Sequence, residues 1–270
     1  MSLLTKRVAN SPIYRKKTNA LFKNAIALTG GIATGKSTAS NILRLYGYTV
    51  IDMDTISHEA LEASAKEVVG VFGSGILVDS ANCVGSTETT FFCHSERSEE
   101  SQKKLQNRDS SQTKFAQNDN IDSAKIAEST PKINRKKLGE IVFKNRVELA
   151  KLEAILHPKI RTEVEKKAQI LEAQGILYFI DIPIFFELQA KGCGYEIPRV
   201  ALIYAPREVQ LARMIKRDNL SVDSANVRLA NQIDIEEKRH KADFVIENVG
   251  SVRELQNKIE VFLNKFVLWR

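Results

Sequence analysis

The stretch LTGGIATGKSTAS, residues 28–40, constrains this 270-residue chain more than any other. It fits the pattern G-x-x-x-x-G-K-[ST], from Gly30 through Gly35 and Lys36 to Ser37. A loop of this kind works in one setting only. A buried strand must deliver the chain to it and a helix must leave from it, so that backbone N–H groups and the helix dipole converge on an anion. The run AIALT (25–29) supplies the strand, and the pattern after Lys36 supplies the helix. Gly30, Gly31 and Gly35 let the backbone turn and approach phosphates closely. Lys36 can reach the β- and γ-phosphates of a nucleotide, and Ser37 can offer its hydroxyl to Mg²⁺. The loop holds a nucleotide, but it does not say where the terminal phosphoryl group goes.

Four more short apolar runs read as buried strands: YTVID (48–52), ILYFID (176–181), RVALIY (199–204) and ADFVIEN (242–248). Helical patterns lie between them. Strands alternating with helices predict an α/β fold, a parallel sheet covered on both faces. Residues 55–174 are too many for a simple crossover. Within them KKLGEIVFKN (136–145), VELAKLEAIL (147–156) and PKIRTEVEKKAQILEA (158–173) repeat apolar residues at three- and four-residue spacing. They predict a helical subdomain inserted into the sheet domain. From about Ser80 to Pro131 the chain is polar, charged and nearly free of aliphatic residues, with TTFFCH as its one apolar patch. Such a composition predicts a disordered insertion without chemistry of its own.

The formal charge of +7 raises the question of a nucleic-acid partner, so its location matters. Residues 1–24 carry Lys6, Arg7, Arg15, Lys16, Lys17 and Lys23 and no acid, which leaves the rest of the chain near +1. The excess belongs to the tail, and a nucleic-acid partner is not expected. Residues 1–23 read as a basic disordered extension; their composition is also that of a transit peptide, but they lack the apolar core of a secretory signal. No apolar run approaches the roughly 20 residues that span a membrane. The cysteines, Cys83, Cys93 and Cys193, form no C-x-x-C pair. They suggest neither a disulfide framework nor a zinc site, and they fit a reducing cytoplasm.

Acids follow at the strand ends, where an open parallel sheet binds its ligands. VIDMDTIS places Asp52 and Asp54 at the end of the second strand. Residues two apart on a strand share a face, so both can face the phosphate site. One can act as general base on an attacking hydroxyl or help to hold Mg²⁺. Asp54, at the start of the next helix, is the better catalytic candidate, whereas Asp52 can equally be a helix cap. The third strand ends FIDIPIFFE, where Asp181 can either stand behind the ligands of Mg²⁺ or serve as a structural acid at the strand end, with Pro183 ending the strand and Glu187 on the next turn. After the fourth strand, Arg207, Arg213, Lys216, Arg217 and Arg228 populate a basic helix pair that suits a lid closing over ATP. A GTPase switch would need an N-K-x-D element; the nearest sequence, NKIE at 257, lacks the Asp.

Taken in order, IALTGGIATGKST, VIDMDTISHEAL, VFGSGIL, NRKKLGEIVF, LEAILHPKI, DIPIFFE, RDNLS and ADFVIENVGS resemble the dephospho-coenzyme A kinase family. The resemblance implies a three-layer P-loop kinase fold over residues 24–270, with a five-stranded parallel sheet, an inserted helical acceptor subdomain and a lid. It implies transfer of the ATP γ-phosphoryl to the ribose 3′-hydroxyl of dephospho-coenzyme A, with Mg²⁺, as the last step of coenzyme A biosynthesis. Asp54 would be the base. Gly31, Ala33, Thr34 and Gly35 would line the ATP phosphates together with Lys36, Ser37 and Thr38, and Ser37 would also bind the metal. Arg217 and Arg228 would serve as lid arginines, with Arg228 and Gln232 matching an R-x-x-x-Q element. His157 and Glu187 would lie on the acceptor side, His157 and Pro158 matching the family's HP. The sequence departs from the family in its tail, in the bulkier DMD where DAD is common, and in the long insertion, which bears on the acceptor side. A kinase for another small hydroxyl, a nucleic-acid binder using the tail and a catalytically silent nucleotide sensor remain open alternatives.

Overall fold

A computed structural model describes residues 20–78 and 131–267. The basic extension, most of the polar insertion, and Cys83, Cys93 and His94 lie outside the described residues. Five strands form one parallel sheet: β1 (Ala25–Gly30), β2 (Val50–Asp52), β3 (Tyr178–Asp181), β4 (Val200–Tyr204) and β5 (Phe244–Glu247), in the order β2-β3-β1-β4-β5. β2 to β5 fall inside the predicted runs, shortened at their ends, while β1 runs one residue past its predicted end, to Gly30. β1 lies at the centre, in register with both neighbours: Leu28 is opposite Asp181 on β3 and Ala201 on β4.

Alternation along the strands builds two cores. Ala25 and Ala27 of β1, with Tyr178 and Ile180 of β3, face α2 (Met53–Ala63), α3 (Ala65–Phe72), α4 (Arg135–Val142), α5 (Arg146–Ala173) and α6 (Phe185–Ala190). Ile26, Leu28 and Phe179 face the other way, against α1 (Lys36–Leu45) and α10 (Val252–Val267). The three inner strands, β1, β3 and β4, are buried on both faces, which is why their runs read as continuously apolar, whereas the edge strands β2 and β5 are only partly covered. Beyond β4 lie α7 (Arg207–Asp218), α8 (Val222–Ala230) and α9 (Ile235–Lys241). A small third core of Met214, Ala225 and Leu229 closes around Ile32 of the phosphate loop, so α7 and α8 are packed onto the loop itself.

The two helical stretches on either side of Pro158 are one helix, α5. Proline removes one i→i−4 bond and costs about 3 kcal/mol inside a helix. Here Pro158 is exposed, while Leu152, Leu156, Ile160, Val164 and Ala168 form an unbroken buried stripe past it. Burying such side chains stabilises by about 1.5–3 kcal/mol for each large one, which outweighs the break.

The insertion departs and returns at one point. Leu77 and Ile133 form an antiparallel bridge, Val78 N donates to Lys132 O at 2.9 Å, and Asn134 N donates to Ile76 O at 2.7 Å. Deleting residues 82–130 would leave Asp79, Ser80, Ala81 and Pro131 to join Val78 to Lys132, a link of hairpin length. The shortened chain is expected to melt at or above the temperature of the full chain. Shortening the closed loop recovers roughly 2 kcal/mol of closure entropy. A drop of several degrees in a thermal melt would show that the deleted residues contribute packing.

Candidate active site

The loop takes the shape its glycines permit. Gly35 is the N-cap of α1 at φ +90°, where a Cβ would run into the side chain of Asn248. Gly31 is closely overlain, since a Cβ there would lie 2.8 Å from Gln210 Oε1. Ala33 adopts φ +59° despite its side chain. The first helical bond runs from Ala39 N to Gly35 O at 3.1 Å, so the N–H groups of Lys36, Ser37 and Thr38 lie ahead of the helical ladder at the positive end of its dipole. Ser37 is exposed there.

Four side chains from the second half of the chain fix this backbone. Gln232 Oε1 accepts from Ile32 N at 3.1 Å. Arg213 Nη1 donates to Ala33 O at 3.3 Å and to Thr34 O at 3.5 Å, and burial lowers its pKa. Asn248 Nδ2 donates to Thr34 O at 2.8 Å. Lys238 Nζ donates to Gly30 O at 3.4 Å. Gly35→Ala therefore has two costs: roughly 1–2 kcal/mol for the left-handed backbone, and displacement of Asn248 from its carbonyl. Its Tm is expected to fall by roughly 2–8 °C and its affinity for Mg·ATP by about tenfold or more. A melt and a nucleotide titration that match wild type would show that the loop absorbs the methyl group.

Lys36 forms an ion pair with Asp181 Oδ1, and Ser40 Oγ donates to Asp181 Oδ2 at 2.5 Å. Asp181 is 4% exposed at the end of β3 and stands in register with Asp52 of β2. The structure thus joins the lysine of the loop to the acid of the third strand, a pairing that the sequence did not mark, and adds Ser40 to it.

The two acids of DMD separate. Asp52 ends β2 and caps α2, its Oδ1 accepting from Thr55 N at 3.1 Å, while its Oδ2 meets Arg44 Nη2 at 3.3 Å. Asp54 stands in the first turn of α2, where an acid complements the helix dipole, and is 8% exposed. Strand alternation therefore does not relate them, because the strand ends at Asp52. Asp52 is the cap, and Asp54 is the buried carboxylate two residues beyond the position in register with Asp181.

The lid arginines converge on one acid. Asp218 receives Arg217 through Nε at 2.6 Å and Nη2 at 2.8 Å, and lies 3.7 Å from Arg228 Nη1. Glu187, expected on the acceptor side, makes contacts at the loop: its Oε1 accepts from Ile233 N at 3.0 Å and pairs with Lys238 Nζ at 2.7 Å. His157 directly precedes Pro158 in the long helix. It is half-buried on α5, and burial, followed by the opposing influences of Glu153 and Lys191, lowers its pKa.

Sequence reasoning marked Gln232 and missed Asn248, Asp218 and Lys238. Asn248 follows the fifth strand directly, so the rule that ligands gather at strand carboxyl ends was sufficient to flag it. Lys238 lies in EEKRHK, a charge run that reads as solvated, and no pattern in it marks the one lysine that is buried.

A phosphate loop at the centre of a parallel sheet, a buried strand-end acid on its lysine and a helix pair bearing arginines over it define a P-loop kinase. The sequence profile described as dephospho-CoA kinase matches residues 24–86 and 106–254. The chain belongs to the dephospho-CoA kinase family. It is 39% identical over 237 residues to the dephospho-CoA kinase of Wolinella succinogenes, covering 87% of this chain and 91% of that protein. It is 39% identical over 243 residues to that of Helicobacter pylori, covering 90% and 97%. Among solved structures, the dephospho-CoA kinase from Campylobacter jejuni aligns with a TM-score of 0.56 at 31% identity over 90% of this chain and 96% of that one. The protein TT1252 from Thermus thermophilus aligns with a TM-score of 0.60 at 26% identity over 89% and 96%.

Proposed function

We propose that the chain transfers the γ-phosphoryl of ATP to the ribose 3′-hydroxyl of dephospho-coenzyme A, with Mg²⁺, in the cytoplasm, as the last step of coenzyme A synthesis. The observation that carries this is the position of Asp54, a buried carboxylate just past the strand that stands in register with Asp181. Among the described residues no helix is long and apolar enough to cross a membrane, which is compatible with the proposed compartment.

The donors suit the metal. Ser37, Asp181 and Asp54 offer hard oxygens, and no described group of three or more His, Cys, Asp or Glu forms a closed cage. Mg²⁺ is ordinarily held by one or two carboxylates plus substrate phosphates, so an open site of this kind fits it. Ser37 would hold the ion with Asp181 in support; when bound, it supplies charge neutralisation on the phosphate oxygens.

The protein's own groups do the remainder. The N–H groups at the start of α1 bind the phosphates, and Lys36 exchanges Asp181 for phosphate oxygens. Asp54 accepts the proton of the acceptor hydroxyl as its oxygen attacks. Arg217 and Arg228, pre-gathered on Asp218, bring guanidinium charge to the transferred group. We assign His157 to the acceptor side as a neutral hydrogen-bonding group, because its lowered pKa leaves the ring uncharged at pH 7. Glu187 is assigned to loop support.

The test is ADP release from Mg·ATP with dephospho-coenzyme A beside a panel of other small hydroxyl compounds. Turnover that requires dephospho-coenzyme A, with a 3′-phosphorylated product, is expected. Turnover only with another acceptor would keep the kinase and replace the substrate.

A further inference from the structure

We infer that Glu187 and Lys238 form a positioning pair that sets the first half of the phosphate loop, and with it the affinity for Mg·ATP. Lys238 is wholly buried, 0% exposed, on α9. A lysine in such a place must be paired to remain charged. Its partners are Glu187 at 2.7 Å and the carbonyl of Gly30, the first residue of the loop, at 3.4 Å. Glu187 lies on α6, the helix that follows the Asp181 strand, and also accepts from Ile233 N. Thr29 Oγ1 donates to Pro183 O at 3.2 Å, tying the end of β1 to the same turn.

These contacts meet a single segment, residues 232–238, seated along Gly30–Ile32. Gln232 takes the N–H of Ile32. Ile233 is held by Glu187. The Cδ1 of Ile235 lies 3.3 Å from where a Cβ on Gly31 would stand. Lys238 takes the carbonyl of Gly30. Arg228 precedes this segment by four residues, so the same anchor sets how far its guanidinium stands from the loop. The pair is neutral overall and contributes geometry: with the carbonyl of Gly30 drawn down to Lys238, the N–H groups that follow are free to point outward at phosphate.

The inference rests on the chain being an ATP-dependent kinase. Its primary readout, nucleotide affinity, requires no acceptor, so a wrong acceptor would leave the test intact. The variants are Glu187→Gln, which is nearly isosteric, and the double variant Glu187→Gln with Lys238→Met, which strands no buried charge. Each is assayed by thermal melt, by calorimetric titration with Mg·ADP, and by KM for ATP and for acceptor. The double variant is expected to melt close to wild type yet bind Mg·ADP at least tenfold more weakly, with KM for ATP rising in parallel and KM for acceptor within twofold. Glu187→Gln should weaken Mg·ADP binding at least threefold, and it decides the matter if the double variant does not fold. Lys238→Arg, which keeps the charge and its donors, should bind within threefold of wild type. Wild-type nucleotide affinity in the folded double variant, or in Glu187→Gln, would reduce the pair to fold stability. A raised acceptor KM with unchanged nucleotide affinity would return Glu187 to the acceptor site. Either result overturns the inference.

Discussion

Asp54→Asn is expected to lower kcat by roughly 10²–10⁴-fold, the usual worth of a positioned general base. The affinity for Mg·ATP should stay within about twofold, because the loop's phosphate contacts come from β1, α1 and the segment around Gln232 and not from α2. The substitution is nearly isosteric in the first turn of α2, where Asp54 is 8% exposed and Asp52 supplies the cap. The helix therefore keeps its start. What is lost is a carboxylate able to take a proton. Single-turnover measurements with saturating ATP separate the two readings. A slow chemical step with normal nucleotide binding identifies the base, while near-normal turnover would remove Asp54 from that role. Asp52→Asn makes the contrasting control: Asn caps a helix almost as well as Asp, and its activity should fall only slightly.

Lys36→Met should lower kcat/KM by more than about 100-fold, a loss of about 2.7 kcal/mol or more in transition-state stabilisation. It should also destabilise the fold. Lys36 and Asp181 are both largely buried, and removing one partner of a buried pair costs about 3–5 kcal/mol, most of it the cost of leaving the other charge without its counterion. Ser40 still donates to Asp181 and places the loss at the lower end of that range. Combining Lys36→Met with Asp181→Asn removes both charges, so Tm should recover much of the loss while activity stays near background. If the double variant instead regained turnover, Lys36 would serve chiefly to neutralise Asp181. If the single variant melted like wild type, the ion pair would contribute little to stability.

Most of the fold was legible because its signals are local. A buried strand is a short apolar run, and each of the five was visible as one, the two partly covered edge strands included. The phosphate loop is equally local: strand, glycines, lysine and hydroxyl follow one another, and their order dictates the turn and the anion site. The span of α5 was less legible. Pro158 argues for a break in sequence, and only the packed stripe from Leu152 to Ala168 shows why the helix continues. At DMD two readings competed, a shared strand face for both acids and a helix start at Asp54 with Asp52 as its cap, and the fold takes the second.

The sequence by itself determined the α/β class, the nucleotide site, the candidate base and the family, since each rests on residues close together or on motifs in a fixed order. Tertiary structure alone decided the partners: Asp218 between Arg217 and Arg228, Asn248 behind Thr34, and Lys238 beside Glu187. The reason is physical. A charged side chain reads as solvated unless something far along the chain buries it, and 51 residues separate Glu187 from Lys238. Burial is a property of the assembled fold, and it gives those charges their roles.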